Sequence, residues 1–254
     1  MLYMKGKIVM ITGASSGIGW AVAEQMAAEG AHLILCGRRE ERLKKLQSQL
    51  NTPSHLLAFD VGDQKSVFEK LESLPKAFAS IDILINNAGN AHGLNPVHKA
   101  NIEDWDAMID SNVKGLMYVT KAVLPSMLSK KRGHIINVGS IAGKEVYPNG
   151  SVYCSSKFVV DAFTKGLRLD LNALGIKVGA IHPGMVNTEF SEVRFKGDKE
   201  KAAQVYKGLK PLEANDVANV ILYMAKAPEH VNIADLLLLP NAQGSAYVAH
   251  RMEQ

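Results

Sequence analysis

The segment Tyr153-Cys154-Ser155-Ser156-Lys157 places a phenol and an ammonium group four residues apart in a stretch with helical periodicity. Residues four apart share one face of a helix, so both groups can point into one space. A phenol, with a pKa near ~10, is a poor base at neutral pH, but a nearby cation favours the phenolate. Ser140, at the end of a strand pattern, is placed to hydrogen-bond the same substrate oxygen. Alone, the spacing is also compatible with chance; together, these residues predict a tyrosine that exchanges a proton with a substrate.

A further polar residue, Asn112, falls in the middle of a long helical pattern over 102–129. Asparagine is a poor helix former because its side chain competes with the backbone for hydrogen bonds. Its position therefore favours a local distortion of the helix, or a bound water, over a packing role.

The first strand pattern ends in a glycine-rich turn, Thr12-Gly13-Ala14-Ser15-Ser16-Gly17-Ile18-Gly19, within which a helix pattern begins. Glycine permits tight turns, and the free N–H groups at a helix N-terminus attract phosphate. The spacing is GxxxGxG rather than GxGxxG, and an ordinary strand-to-helix turn is the alternative interpretation. The position after the first strand favours a site for the pyrophosphate of a dinucleotide.

The residues after the second strand pattern indicate which dinucleotide binds. An acidic residue here usually holds the ribose hydroxyl of NAD, and Cys36-Gly37-Arg38-Arg39 contains none. Guanidinium groups suit the 2′-phosphate of NADP, so we expect Arg38, and then Arg39, to bind it. The alternative is that both arginines simply begin a solvated helix. After the third strand pattern, Asp60 and Val61 can flank the adenine, although Asp60 is almost as well suited to capping a loop.

Apolar runs alternate with helical patterns along the chain. Strands are predicted at 7–13, 32–38, 55–61, 81–89, 133–140, 177–184 and 234–240, and helices at about 17–29, 39–50, 63–79, 102–129, 151–174 and 213–226. Most strands are continuously apolar, which is typical of parallel sheets covered on both faces. The pattern predicts an α/β fold in one domain over 1–254, a Rossmann-type, doubly wound, seven-stranded parallel sheet with helices on both faces. The polar, lysine-rich stretch 185–212 is predicted to be irregular and to cover a ligand at the carboxyl ends of the strands.

Composition argues against several other classes. A formal charge of +4, with basic and acidic residues interleaved, gives no case for nucleic acid or a membrane surface as a partner. Cys36 and Cys154 form neither a disulfide framework nor a metal-ligand spacing, so we expect no metal and a reducing, cytoplasmic compartment. The first residues lack the apolar core of a signal peptide, and we expect no membrane span.

In combination, these motifs resemble the short-chain dehydrogenase/reductase family over nearly the whole chain. They are the turn at 12–19, Asn86-Asn87-Ala88-Gly89, Asn112, Ser140, the segment 153–157, and Pro183-Gly184 followed by Thr188. The resemblance implies a catalytic tetrad of Asn112, Ser140, Tyr153 and Lys157, and a homotetramer built on long-helix pairing and the C-terminal strand. It also implies cofactor contacts from Gly13, Ser15, Ser16, Gly17, Ile18, Gly19, Asn87, Ala88, Gly89, Tyr153, Lys157, Pro183, Gly184, Val186 and Thr188.

A narrower resemblance, to the NADP-dependent 3-hydroxy acid dehydrogenases, is carried by the segments 37–46, 92–116, 121–127 and 187–198. This group includes serine and allo-threonine dehydrogenases. It implies oxidation of the 3-hydroxyl of short acids or amino acids, or reduction of the matching semialdehydes. Between Gly184 and Thr188 some members have one more residue, so this chain departs from them where the nicotinamide carboxamide is expected.

A small acid substrate needs a cation in its pocket. Arg194 is expected to supply it ahead of Lys196, because a planar guanidinium pairs bidentately with a carboxylate. A solvated basic loop is the alternative for both residues. Tyr147, which precedes the helix of Tyr153, is predicted to form a wall of the pocket.

Two other functions stay open at this point. The same fold serves reductases of larger neutral carbonyls, such as ketosteroids, sugars or acyl-chain intermediates. A non-catalytic NADP-binding regulator is the alternative outside enzymes. The intact tetrad argues against a regulator, and the short, basic segment 185–212 favours a small anionic substrate.

Overall fold

The computed structural model describes residues 3–252. Its strands are β1 (Ile8–Thr12), β2 (His32–Gly37), β3 (Ser54–Ala58), β4 (Ile83–Asn86), β5 (Gly133–Val138), β6 (Ile176–Pro183), β7 (Val186–Asn187), β8 (Leu212–Glu213) and β9 (Asp235–Leu238). Seven of them form one parallel sheet in the order β3-β2-β1-β4-β5-β6-β9, and β7 pairs with β8. The predicted seven-stranded, doubly wound sheet is confirmed.

Helices cover both faces of this sheet. They are α1 (Gly17–Ala28), α2 (Glu40–Gln49), α3 (Gln64–Glu72), α4 (Ile102–Ile109), α5 (Leu116–Lys130), α6 (Ser151–Leu171), α7 (Phe190–Arg194), α8 (Lys199–Gln204) and α9 (Ala214–Lys226). A π-helical turn, Asp110–Gly115, joins α4 to α5. Within residues 3–252, no helix combines the length and the apolarity that crossing a membrane requires.

The alternation of side chains along the strands divides the core into two layers. Val9 and Ile11 of β1 belong to one buried cluster, on the face that α1 and α9 cover. Ile8 and Met10 belong to the other cluster, on the face of α5 and α6. Because both faces are covered, the strands are mostly apolar, with few polar residues such as His134 and Asn137 of β5, and this composition allows the sequence to predict them.

Two helical predictions needed correction. The helix predicted at 63–79 ends at Glu72, and Pro75 follows within three residues. Proline restricts the residue before it and lacks an N–H, so the helix does not continue through this region. The long helix predicted at 102–129 is divided by the π-helical turn described above.

The stretch 185–212, predicted to be irregular, contains regular structure. It holds β7, α7 and α8, and the first residue of β8. The α8 helix begins with its own cap, since the Asp198 carboxylate accepts the Lys201 N–H at 3.0 Å. These helices are too short to show a clear period, so the sequence pattern did not reveal them.

A buried histidine in β5 gives the fold a pH dependence. Burial is the main cause that lowers the pKa of His134 from 6.5 to about 3, and Lys177 and Lys7 add to the shift. The unfolded chain takes up this proton at its ordinary pKa, whereas the folded chain does not. Stability therefore falls as the pH drops from about 6.5 toward about 3, by ~1.4 kcal/mol per pH unit.

Replacing this histidine, His134→Leu, removes the protonation linkage. The variant should gain about 2 kcal/mol relative to the unchanged protein between about pH 8 and about pH 5. Urea unfolding at the two pH values measures the difference, with the exposed His98→Leu as the matched control. An equal pH dependence in the His134→Leu variant and the unchanged protein would contradict the prediction.

Candidate active site

Tyr153 and Lys157 lie one turn apart on α6, and both are buried. The Lys157 Nζ donates to the Val138 carbonyl oxygen at 3.1 Å and lies 6.0 Å from the centre of the Tyr153 ring. Ser140 follows β5, and its Oγ accepts an N–H at 3.1 Å from the 3-10 turn Ile141–Gly143. The structure thus brings the three predicted residues together at the carboxyl end of β5.

Burial dominates the pKa values of this pair. It raises the pKa of Tyr153 above its ordinary value, and Tyr147 adds to the rise, whereas Arg194 and Ser140 oppose it. Burial also lowers the pKa of Lys157 from 10.5 to about 8. The expected lowering of the Tyr153 pKa by Lys157 is not found, since burial raises this pKa and Lys157 is not among the groups that oppose the rise. Arg194 is the closer cation, 5.0 Å from the ring centre.

Asn112 lies in the π-helical turn, so the predicted distortion of its helix is confirmed. Its side chain is buried and donates to the Asn90 carbonyl oxygen at 2.8 Å and to Ser156 Oγ at 3.0 Å. Its own oxygen accepts the Asn90 N–H at 2.8 Å. Ser156 Oγ in turn donates to the Tyr153 carbonyl oxygen at 2.7 Å. Asn112 is thereby linked to the turn of α6 that carries the tyrosine.

The glycine-rich turn is built by close backbone contacts. Gly13 and Gly17 have positive φ values of 67° and 53°, which glycine adopts readily. A Cβ on Gly19 would collide with the Gly13 carbonyl oxygen, and one on Gly17 would lie 3.2 Å from Thr188 Cγ2. The first N–H groups of α1, which begins at Gly17, have no partner inside the helix. This arrangement of free N–H groups and absent side chains fits a pyrophosphate.

Thr12, at the end of β1, connects this turn to the Asn87-Ala88-Gly89 segment. Its Oγ1 accepts the Asn87 N–H at 3.0 Å and the Ala88 N–H at 2.9 Å. Asn87 Nδ2 donates to the Thr12 carbonyl oxygen at 3.0 Å. At the other end of the segment, a Cβ on Gly89 would lie 3.0 Å from Asn112 Oδ1. The segment therefore spans the distance from the glycine-rich turn to the tetrad residues.

Arg39 contacts the glycine-rich turn, whereas the Arg38 guanidinium extends toward solvent. Arg39 donates to Ser15 Oγ at 3.1 Å and to Ser16 Oγ at 2.6 Å. It also forms an ion pair of 2.8 Å with Glu189, the residue after Thr188. Only the Arg39 guanidinium stands beside the turn, where a 2′-phosphate could bind, whereas Arg38 pairs with Asp60.

Asp60 and Val61 have structural contacts of their own. Asp60 Oδ1 accepts the Gly62 N–H at 2.9 Å, and Oδ2 pairs with Arg38 at 3.5 Å. The loop-capping alternative for Asp60 is therefore realised. Val61 is buried against Gly115 and leaves only its backbone for a ligand. A cavity of about 450 Å³ lies here, lined by Arg38, Asp60, Gly62, Asp63, Gln64, Asn90, His92, Ala107, Asp110 and Ser111.

The chain leaves β6 through Pro183 and Gly184 and enters the covering segment. The Val186 carbonyl oxygen accepts the Tyr206 hydroxyl at 2.8 Å, which fixes β7 to the region beyond α8. Thr188 Oγ1 accepts an N–H from the start of α7 at 3.2 Å. These residues lie between the glycine-rich turn and the pocket of Tyr153.

The Arg194 guanidinium lies among aromatic rings in that pocket. Its central carbon is 5.0 Å from the ring centre of Tyr153, 5.6 Å from that of Tyr147 and 5.9 Å from that of Phe190. Arg194 donates to the Tyr147 hydroxyl at 2.5 Å. Its buried Nε has no hydrogen-bond partner among residues 3–252. The guanidinium thus keeps a free donor beside the candidate acid/base.

Lys196, the other candidate cation, is already paired. Its Nζ lies 2.8 Å from Asp104, whose side chain is 13% exposed. A cavity of about 20 Å³ lies between Asp104, Trp105, Tyr153 and Arg194. A volume of this size has room for about one water molecule.

Residues 7–199 match the family model described as short chain dehydrogenase. The chain therefore belongs to the short-chain dehydrogenase family. The geometry above is that of an oxidoreductase of this family, with a dinucleotide turn and a serine–tyrosine–lysine group at one edge of the sheet.

Individual relatives are similar over nearly their full length. The NADP-dependent 3-hydroxy acid dehydrogenase of Schizosaccharomyces pombe is 48% identical over 258 residues, covering 100% of both chains. The NADP-dependent 3-hydroxy acid dehydrogenase YdfG of Escherichia coli is 44% identical over 240 residues, covering 94% of this chain and 97% of the relative. A structure of the closed form of serine dehydrogenase complexed with NADP+ superimposes with a TM-score of 0.92. It is 42% identical, and the match covers 97% of this chain and 100% of that one.

Sequence reasoning missed Thr12, Ser156 and Glu189 as residues that organise the site. Thr12 is the first residue of the glycine-rich turn, and a threonine that ends a buried strand was the available signal. Ser156 and Glu189 gave no signal, because Asn112 and Arg39, which connect them to the site, lie 44 and 150 positions away in sequence.

The Thr12 hydroxyl should support both stability and cofactor binding. Thr12→Val removes the acceptor of two backbone N–H groups and should lower the free energy of unfolding by about 1–3 kcal/mol. It should also weaken NADPH binding, because the Asn87-Ala88-Gly89 segment loses its anchor. Urea unfolding and NADPH titration measure the two effects. Thr12→Ser, which keeps the hydroxyl, is the control, and equal behaviour of the two variants would refute the role.

Proposed function

We propose that this protein is an NADP-dependent oxidoreductase acting on the 3-hydroxyl of small 3-hydroxy acids or amino acids, or on the matching carbonyl. Serine, allo-threonine, 3-hydroxyisobutyrate and 3-hydroxypropionate, with malonic semialdehyde as a product of the last, represent the substrate class. The observation that carries the proposal is the position of the Arg194 guanidinium, which lies among aromatic rings beside Tyr153. Its buried Nε has no hydrogen-bond partner among residues 3–252. The relatives described above, two NADP-dependent 3-hydroxy acid dehydrogenases and a serine dehydrogenase, support the same class.

The cofactor would be held along the carboxyl edge of the sheet. The glycine-rich turn at 12–19 would bind the pyrophosphate, and Arg38 and Arg39 the 2′-phosphate. Asp60 and the Val61 backbone would flank the adenine, with Asn87, Ala88 and Gly89 on the adenosine side. Pro183, Gly184, Val186 and Thr188 would face the nicotinamide carboxamide. When bound, NADP supplies the hydride acceptor, or as NADPH the hydride donor.

The tetrad residues would handle the proton. Burial keeps the Tyr153 phenol protonated at neutral pH, so Tyr153 can donate to a substrate carbonyl oxygen during reduction. In the reverse direction the phenol would first pass its proton to the relay, and the resulting phenolate, stabilised by the nearby cations Lys157 and Arg194, would take the hydroxyl proton. Ser140 would hydrogen-bond the same oxygen, and Asn112 would order a water in the proton relay.

The substrate carboxylate would pair with Arg194. A guanidinium and a carboxylate form two parallel charge-assisted hydrogen bonds, which fix the acid relative to Tyr153. Tyr147 would support the guanidinium through its hydroxyl. A reductase of larger neutral carbonyls would have no use for this cation.

Assembly and location follow from the family resemblance. We propose a homotetramer in the cytoplasm, with helix pairing through α5 and α6 and contact through β9. Apolar side chains are exposed on these elements, including Leu169 of α6 and Leu237 of β9. The two cysteines are free and buried, which is consistent with a reducing compartment. Light scattering tests the tetramer.

The reaction should depend most strongly on the phenol of Tyr153. Tyr153→Phe removes the exchangeable proton and should reduce turnover by at least about 10²-fold, with NADPH binding retained. Steady-state rates and NADPH titration measure these two quantities. Tyr223→Phe, on an exposed face of α9, is the matched control. Retained turnover in Tyr153→Phe would remove the acid/base assignment.

The two arginines after β2 should select NADP over NAD. Arg38→Gln and Arg39→Gln each remove a charge from the 2′-phosphate site and should raise the KM for NADP about 10–100-fold. The KM for NAD should change much less. Arg132→Gln, an exposed arginine beyond α5, serves as the control. A similar rise for both cofactors would mean that the arginines are structural.

Arg194 should discriminate acids from neutral alcohols. Arg194→Gln should lower kcat/KM for 3-hydroxyisobutyrate about 10–100-fold, because the carboxylate loses its charged partner. Neutral alcohols should be affected much less, as comparative kinetics will measure. Lys199→Gln changes an exposed charge in the same segment and should leave both rates intact. Equal losses for acids and neutral alcohols would sink the carboxylate assignment.

A further inference from the structure

A cluster of charged side chains lies behind the site, and the proposed reaction does not use it. Lys144 Nζ donates to Asp161 Oδ1 at 2.8 Å and to Asp235 Oδ2 at 2.6 Å. Asp161 Oδ2 accepts Lys165 Nζ at 2.6 Å. His182, fully buried, places Nε2 3.1 Å from Asp235 Oδ1 and 3.7 Å from Asp161 Oδ1. We call these five residues the Lys144 cluster.

The cluster joins elements that carry the tetrad. Lys144 follows the 3-10 turn that begins at Ser140. Asp161 lies one helical turn beyond Lys157 on α6, and Asp235 is the first residue of β9. One ammonium group therefore connects the turn after Ser140 to the helix of Lys157 and to the edge strand.

Ser140 and Lys144 are the two ends of the same short turn. Ser140 Oγ accepts the Ala142 N–H at 3.1 Å, and the Lys144 N–H donates to the Ile141 carbonyl oxygen at 2.8 Å. Midway, Gly143 lies so close to α6 that a Cβ would collide with a backbone carbonyl oxygen of that helix. A shift of the Lys144 end would therefore be transmitted to the direction of the Ser140 hydroxyl.

His182 supports the other side of Ser140. A Cβ on Gly139, the residue before Ser140, would collide with the His182 ring. The imidazole thus fills the space between the end of β5 and the carboxylates of the Lys144 cluster. The His182 ring thus packs against the residue before Ser140, and the turn that Lys144 anchors follows directly after Ser140.

We propose that Lys144 is a positioning residue, whose ammonium clamps the turn after Ser140 to α6 and so keeps the Ser140 hydroxyl aligned with the Tyr153 phenol. The proposal rests on the proposed roles of Ser140 and Tyr153. Both residues must reach one substrate oxygen, yet they come from different elements. The Lys144 cluster is a second side-chain connection between those elements, beside the bond from Lys157 to the Val138 carbonyl oxygen.

A divalent cation is the other occupant that this donor set would suit, since Asp161, His182 and Asp235 offer ligand atoms within 4.8 Å of one another. The Lys144 ammonium, however, already lies on both carboxylates. Together with Lys165 it balances their two negative charges. The geometry therefore favours lysine as the resident cation.

The connection that Lys144 makes between the turn after Ser140 and α6 should be strong enough to affect catalysis. The Lys144 side chain is 24% exposed and that of Asp161 is 12% exposed, so salt screens this ion pair less than a surface pair. A misplacement of about 1 Å between reacting groups costs on the order of 10²-fold in rate. Loosening the turn should thus lower the rate of the chemical step rather than the affinity for the cofactor.

The test compares two lysines that bind the same carboxylate. Lys144→Met and Lys165→Met each remove one ammonium from Asp161, but only the first releases the turn after Ser140. Lys144→Met should lower kcat about 10–100-fold with an unchanged Kd for NADPH. Lys165→Met should keep nearly full turnover. Lys144→Arg, which can still bridge Asp161 and Asp235, should restore much of the loss.

Three results would overturn the proposal. They are full turnover in Lys144→Met, equal losses in Lys144→Met and Lys165→Met, and stimulation of the unchanged protein by added Zn²⁺. If Lys144→Met does not fold, Asp235→Asn keeps the shape and removes one end of the bridge. It should lower kcat in the same direction, and an unchanged kcat would also overturn the proposal. Failure of the proposed function is distinguishable, because Tyr153→Phe would then stay active, whatever Lys144→Met does.

Discussion

The packing of α6 across the carboxyl end of β5 is the contact on which the site depends. A buried ammonium needs a partner, and Lys157 finds one in the carbonyl oxygen of Val138, the last residue of β5. That bond fixes the helix relative to the strand, and with it the distance between Tyr153 and the residue that follows the strand, Ser140. Because the sheet is parallel, the same edge also receives the glycine-rich turn from β1. This helix–strand contact thus aligns the glycine-rich turn with the candidate acid/base group.

Positive charge is distributed along this edge at three places. Arg39 lies at the glycine-rich turn, Lys157 behind the tyrosine and Arg194 in the pocket. The covering segment, residues 185–212, is involved at two of these places: its Glu189 pairs with Arg39, and Arg194 is one of its own residues. An anionic cofactor and an anionic substrate are therefore matched by cations at both ends of the segment, which suits a dehydrogenase of small acids better than one of neutral alcohols.

The sequence predicts the sheet far better than it predicts the site's connections. Every predicted strand of the sheet is found within a few residues, because strands buried on both faces are mostly apolar. The π-helical turn was anticipated from Asn112 alone, since that residue opposes a regular helix. The sequence favoured Arg38 over Arg39, yet it is Arg39 that touches Ser15 and Ser16. The Lys144 cluster could not be predicted from the sequence, because the residues that Lys144 bridges lie 17 and 91 positions away in the chain.

The central claim is that the Arg194 guanidinium, next to the Tyr153 phenol, binds the carboxylate of the substrate. The most direct measurement compares kcat/KM for NADP reduction with 3-hydroxyisobutyrate and with its methyl ester, which lacks the charge and carries one more methyl group. The account predicts that the acid is preferred by about 10–100-fold, the value of one charge-assisted pair. Equal rates, or a preference for the ester, would contradict it and assign the protein to the reductases of neutral carbonyls.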